Sequence, residues 1–250
     1  MLAKLKAAVT APGDRVELVV VDNAGSAAEG PLENADFPQG LVIAGDNSNR
    51  EFTGWDKGVA ALRARSGEPD VWLFTNDTLA RHHGWSDQRA ARFGAEIARL
   101  GDYLAPWMLG EINDFPRSMT TPLGPYMECV ATYCFAINKL LMQRLGCLSP
   151  DNSLLDSLVY DTFEPEHRIF RDQVDPVFVE FISAWMIKDE SDPDRQKRHK
   201  WAHEWQNVSA LNADSFDNLR MKARCYMSEA MLSVRALQLG ADIRSPYDAR

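Results

Sequence analysis

Three short apolar runs recur in the first eighty positions, and each stops abruptly at a polar turn. Val16-Glu17-Leu18-Val19-Val20-Val21 ends in Asp22-Asn23-Ala24-Gly25-Ser26. Leu41-Val42-Ile43-Ala44 runs into Gly45-Asp46-Asn47-Ser48-Asn49-Arg50. Val71-Trp72-Leu73-Phe74 stops at Thr75-Asn76-Asp77-Thr78. Runs of this kind read as parallel strands, because helices cover both of their faces. Between the second and third, Trp55 to Arg65 reads as a helix with Trp55, Val59 and Leu62 on one stripe. Ser66-Gly67-Glu68-Pro69 ends it. Strands and helix in this order predict a mixed, mainly parallel α/β sheet flanked by helices. Right-handed crossovers would bring the three polar ends to one edge. Ligands of open α/β sheets gather beyond the carboxyl ends of the strands, which puts Asn76 and Asp77 at a candidate site. The same two residues could equally do no more than close a turn.

The remainder of the chain carries a different rhythm. Leu2, Leu5, Ala8 and Val9 mark a short helix that Pro12-Gly13-Asp14 breaks, and residues 27–40 read as loop. Ala90, Phe93, Ile97 and Leu100 fall at helical spacing within 86–101. Leu104 to Ile112 reads as a strand, and Phe115 to Tyr126, with three prolines and a glycine, as a long loop. Cys129 to Ile137 is strand-like, followed by a helix to Leu145 that Asn138 would cap. Residues 149–175 carry no assignable period. Val177 to Ile187 predicts a helix, and Lys188 to Lys200 an exposed or mobile charged stretch. Ala213 to Leu239 is the longest helical stretch, in one piece or two, with Gly240 as its stop. The C-terminal portion is therefore expected to be helical.

Composition narrows the function classes. A chain of 250 residues makes one large domain or two small ones. No run reaches the roughly 18 apolar residues of a membrane span, and the N-terminal apolar stretch is too short and broken for a signal peptide. Cys129, Cys134, Cys147 and Cys225 lack metal-ligand spacing, so they read as reduced thiols of a cytoplasmic protein. A net charge of −9 argues against general nucleic-acid binding. The basic cluster Arg195–Lys200 reads as a solvated face, or with Trp201 and Trp205 as a peripheral contact with the inner face of a membrane. A nucleophile elbow and a phosphate-cradling Gly-x-Gly-x-x-Gly are both absent.

Taken together, the motifs resemble the GT-A glycosyltransferases of the large family 2 type, and within it polysaccharide-assembling members of the rhamnan-synthesis branch. VVVDNAGS (Val19–Ser26) resembles the family's strand ending in an Asp-Asn/Asp-Gly-Ser turn. DNSNREFTGWDKGVAA (Asp46–Ala61) is similar to its Asn-rich turn and following helix start, and WLFTNDT (Trp72–Thr78) to its metal-binding strand end. EAMLSVRALQLG (Glu229–Gly240) resembles its acid-containing helix, and TYCFAINKLLMQRLG (Thr132–Gly146) its acceptor-side strand and helix. The resemblance implies a single GT-A-like, Rossmann-like domain over 1–250, in which 147–225 is a poorly matched, largely helical insertion.

It also implies a chemistry. The chain would move a sugar from a nucleotide-sugar donor to a growing glycan or a lipid-linked glycan acceptor, with inversion. A divalent cation, magnesium or manganese, would neutralise the diphosphate leaving group, since such hard ions take oxygen ligands. Asp77 would be its protein ligand. Asp22, Asn23, Asn47, Lys57 and Asn76 would contact the nucleotide-sugar, Asp22 by accepting from a base or ribose. Glu229 would be the base for the acceptor hydroxyl, with Asp151, Asp156 and Asp161 in reserve. Arg235 would pair with phosphate or an acidic loop, and His82-His83 adjoin the metal strand. One acid stands at Asp77 where relatives often carry two. The rival implication is thus a GT-A-like binding or assembly module without catalysis.

Overall fold

A computed structural model describes residues 2–81, 85–164, 168–189 and 209–247. The chain divides into two compact units. The first comprises Met1–Asn113, Glu128–Leu148 and Arg235–Arg250, and the second Asp114–Met127 and Ser149–Val234. The family resemblance implies one domain with 147–225 as an insertion. The second unit holds most of that stretch together with residues from much earlier in the chain.

In the first unit, α1 (Leu2–Val9) precedes β1 (Val19–Asp22), β2 (Gly30–Pro31) and β3 (Leu41–Ala44). These strands form a sheet of order β1-β3-β2. β1 and β3 are parallel, Val19 opposite Leu41 through to Asp22 opposite Ala44, while β2 is antiparallel to β3. α2 (Arg50–Ser66) follows, starting five residues before the helical stripe announces it. β4 (Val71–Thr75) then enters a second sheet, of order β4-β6-β5-β7. Its partner β6 (Gly124–Asn138) runs antiparallel, with Thr75 opposite Cys134. β5 (Trp107–Thr121) lies parallel to β7 (Asp242–Arg244).

The α/β class and the flanking helices hold, but a mainly parallel sheet does not. β4 leaves its sequence neighbours and pairs with a strand more than fifty residues later. β6 is almost wholly apolar and buried from Cys129 to Asn138, so it offers β4 two covered faces.

α3 (Thr78–Arg81) and α4 (Asp87–Leu100) complete the core around Leu5, Phe93, Leu100, Trp107 and Leu109. A Cβ added at Gly94 of α4 would stand 1.7 Å from the carbonyl oxygen of Ala8, so the two helices touch backbone to backbone. α5 (Lys139–Leu145) starts as predicted at Asn138, whose side chain accepts from the Leu141 N–H. The Asn138 side chain also accepts from the Trp107 N–H at 3.2 Å and donates to Ala105 at 2.8 Å, so one cap ties helix to strand.

The predicted loop from Phe115 to Tyr126 is instead a hairpin. β5 continues to Thr121 and β6 begins at Gly124. Pro116 and Pro125 are exposed and Pro122 lies in the turn, places where a missing N–H is tolerated. Phe115, Met119, Thr121 and Tyr126 point inward. The hairpin end belongs to the second unit, with α6 (Asn152–Asp156), α7 (Pro176–Met186) and most of α8 (Phe216–Gln238). α8 is one helix of 23 residues rather than two. Gly240 follows with φ 76°, the left-handed conformation that ends helices cheaply. The short β7 beyond it is absent from the sequence reading. Residues 190–200, Trp201 and Trp205 lie outside the described residues, as do all five histidines, including His82 and His83.

Candidate functional site

The polar ends of β1, β3 and β4 meet through α2, within the first unit. Asp22 of β1 accepts from the Gly45 N–H at 2.9 Å through its backbone carbonyl. Asn23 donates to the carbonyl of Arg50 at 2.9 Å. Trp55 of α2 donates to the carbonyl of Thr75 at 3.4 Å, and Asn76 donates to Glu51 at the same distance. Lys57 lies 3.0 Å from Asp46. The expected convergence therefore occurs, but across two sheets, with the first turns of α2 as the joint.

Small residues make this approach close. A Cβ at Gly45 would stand 1.8 Å from Asn23 Oδ1, and one at Gly54 would stand 3.3 Å from Asn23 Nδ2. Gly58 meets Val21 and Val19 in the same way, so α2 lies directly on β1. On another side, Trp55 packs edge-on against Phe74 and Phe135, at 6.0 and 5.3 Å between ring centroids. Asn47 and Arg50 carry positive φ angles of 53° and 49°. Asn tolerates that conformation. For Arg50 it costs free energy that the surroundings must supply, a kind of strain that clusters at functional sites.

Each side chain singled out from sequence has a defined place. The Asp22 carboxylate accepts from the N–H of Ala27 at 2.6 Å, the N–H of Ala24 at 2.9 Å and the hydroxyl of Ser26 at 3.0 Å. The Ala27 and then the Ala24 backbone hydrogen bonds hold it below the usual aspartate range. It therefore shapes the 24–27 loop. Asn23 is wedged against α2, and its Oδ1 is buried without a hydrogen-bond partner among the described residues. Asn47 sits exposed in the turn before α2. Asp46 accepts from the Ser48 N–H, the Ser48 hydroxyl and Lys57, in that order of influence, and these push its carboxyl far below the aspartate range.

Asn76 accepts from the Thr78 N–H at 3.2 Å and from the Thr78 hydroxyl at 2.6 Å, which starts α3. The turn-closing reading of Asn76 is therefore correct for its oxygen. Asp77 is exposed beside it. Glu229 is half-buried on α8, in the second unit, and is no member of this cluster.

The reserve bases and Arg235 are structural. Asp151 caps α6 by accepting from Ser153 at 2.7 Å. Asp156 pairs with Arg224 and Arg220, and Asp161 with Arg171. Arg235 donates to the carbonyls of Leu145, Cys147 and Leu148 at 2.9, 2.8 and 3.1 Å, closing the C-terminus of α5.

Sequence reasoning missed a second polar group in the first unit. Glu111 of β5 accepts from Arg89 at 3.1 Å and from the hydroxyl of Tyr133, and Tyr247 lies under the Arg89 guanidinium at 4.6 Å. Burial and the bond to Glu111 raise the Tyr133 phenol well above its ordinary value. The signal was an acid inside the apolar run Trp107–Ile112, because a carboxylate there must have partners. The same region buries Cys134, which burial pushes up to about 12, so this thiol is inert. None of the four cysteines is in a disulfide.

No family model, no curated protein and no solved structure matches this chain. The cluster must therefore be judged on its own donor set. Among the described residues, no group of three His, Cys, Asp or Glu side chains could hold a metal ion. Asp77 is one exposed carboxylate, and the Asn76 oxygen is taken by Thr78. These residues do not build a resident metal centre. A cation held by Asp77 together with a diphosphate would take its remaining ligands from the diphosphate oxygens and waters. No described helix is long and apolar enough to cross a membrane.

Proposed function

We propose that the chain is a GT-A-like glycosyltransferase that moves a sugar from a nucleotide-sugar donor to a growing glycan or polysaccharide, with inversion. The observation that carries this reading is the joining of the β1, β3 and β4 ends to the first turns of α2, with Arg50 held at positive φ in the joint. Asp22 orders the 24–27 loop against which a base or ribose would lie. Asn23, Asn47, Asn76 and Lys57 surround the same place, and the Lys57 ammonium would trade Asp46 for a phosphate. Asp77 would meet the cation that accompanies the diphosphate. Calorimetry with a panel of nucleoside diphosphates, with and without manganese, tests this. Saturable binding strengthened by manganese is expected, with Asp77→Ala removing the manganese dependence. No binding to any of them would sink the reading.

A second reading, a GT-A-like binding or assembly module without catalysis, is favoured by one observation. Lys57, the ammonium that would meet a diphosphate, is paired with the Asp46 carboxylate at 3.0 Å, so the protein already offsets its charge. Nucleoside diphosphate binding without any sugar transfer or donor hydrolysis would select it.

A further inference from the structure

The second unit holds a cavity of its own, of about 600 Å³, within the range of small-molecule sites. Its floor is Leu154, Leu158, Val174, Phe178 and Met227, contributed by α6, α7, α8 and the segments beside them. Leu158, Val174, Phe178 and Met227 are buried. The mouth is formed by exposed residues, among them Thr120, Ser157 and Gln173.

The polar groups of the lining are mostly spent on the protein itself. Ser157 donates to the carbonyl of Leu154 at 2.7 Å, and Gln173 donates to the carbonyl of Ser157. Thr121 donates to the carbonyl of Gly124 at 3.0 Å and accepts from the Leu123 N–H. Asp175 accepts from the Thr120 N–H at 2.6 Å and the Val177 N–H at 2.9 Å, so it fixes the hairpin turn and caps α7 together. Among the described residues, the lining has no lysine, arginine or histidine.

We infer that this cavity binds a neutral or cationic aliphatic molecule, an alcohol or an amine on a hydrocarbon body. Aliphatic side chains predominate over the single ring of Phe178, so a flexible chain fits better than a flat ring system. Burying that chain supplies the affinity, at roughly 25 cal/mol for each Å² of apolar surface removed from water. Among the described residues, the one charge in the lining is the carboxylate of Asp175, and no cation there offsets it. A carboxylate headgroup would meet a like charge at partial burial, which is strongly unfavourable. The site is built within the second unit alone and stands or falls independently of the donor-site reading.

The test is calorimetric titration of the full chain with decanol, decylammonium and decanoate. Decanol and decylammonium should bind saturably, and decanoate at least about tenfold more weakly, the cost of one opposed charge. Met227→Trp should abolish decanol binding by filling the floor. Because that change could unfold the protein, Leu154→Trp at a half-buried position is the second variant, with circular dichroism to confirm the fold. Asp175→Asn keeps a capping side chain and should bring decanoate level with decanol. The proposal is overturned if decanol and decylammonium do not bind saturably, if a folded filling variant binds decanol unchanged, or if decanoate matches decanol in the unsubstituted protein.

Discussion

In the first unit β1, β3 and β4 are short and each ends at a polar turn, whereas in the second unit the elements are helices and a hairpin tip gathered from distant parts of the chain. The difference shows in where polar groups are spent. The first unit concentrates Asp, Asn and Gly residues where three strand ends and a helix start meet, and leaves Asp77 and Asn47 exposed there. The second unit spends its carboxylates on caps and ion pairs, as Asp175 and Asp156 do, and leaves an apolar cavity. One unit gathers polar groups at its strand ends and the other encloses apolar surface.

The largest effects come from opposing the two cores. Phe93 and Phe178 are fully buried rings, one in each unit. Replacing either with Ala should cost about 3–5 kcal/mol. Hydrogen exchange should show Phe93→Ala loosening α4, and Phe178→Ala loosening α7. If each loosened both elements equally, the division into units would have no energetic counterpart.

Smaller effects follow from close approach. Gly94→Ala forces a Cβ onto the backbone of α1, which cannot yield, and should cost about 1–3 kcal/mol. A thermal melt reads the loss. At Gly45 the obstacle is the end of the Asn23 side chain, so Gly45→Ala should move that amide, weakening nucleotide binding more than stability. A melt falling as far as that of Gly94→Ala would contradict this.

Tyr133→Phe leaves Glu111 with Arg89 and should cost about 1 kcal/mol in denaturant unfolding, the usual worth of one hydrogen bond.

The smallest effect lies in pH. Asp46 has a folded-state carboxyl held down first by the Ser48 N–H, then by the Ser48 hydroxyl and Lys57. A depressed acid stabilises the fold above its unfolded value and loses that contribution as pH falls. The advantage over Asp46→Asn should therefore be present at neutral pH and shrink below about pH 4. It should stay under about 1 kcal/mol, because the pair with Lys57 is roughly half exposed and screened. An advantage that grew on acidification would reverse the assignment.

Legibility was a matter of distance along the chain rather than of unit. The ends of β1, β3 and β4, and the cap at Asn138, were readable because a chemical change in the chain coincides with the structural one. Pairing was not readable. β4 joins β6 because β6 is apolar on both faces, a property of two segments far apart rather than of either alone. The hairpin was missed because Pro116, Pro122 and Pro125 outweighed the inward alternation of Phe115, Met119 and Thr121. The role of Arg235 was missed because the carbonyls it closes belong to another helix about ninety residues away. Glu111 was legible in principle, as an acid within an apolar run.

The most direct test of the account is hydrogen exchange of the full chain with and without a nucleoside diphosphate and manganese. The account predicts slowed exchange at residues 22–27, 45–51 and 75–78, with the cavity lining around Val174 and Phe178 unchanged. Protection confined to the cavity lining, or absent from all three strand ends, would contradict it.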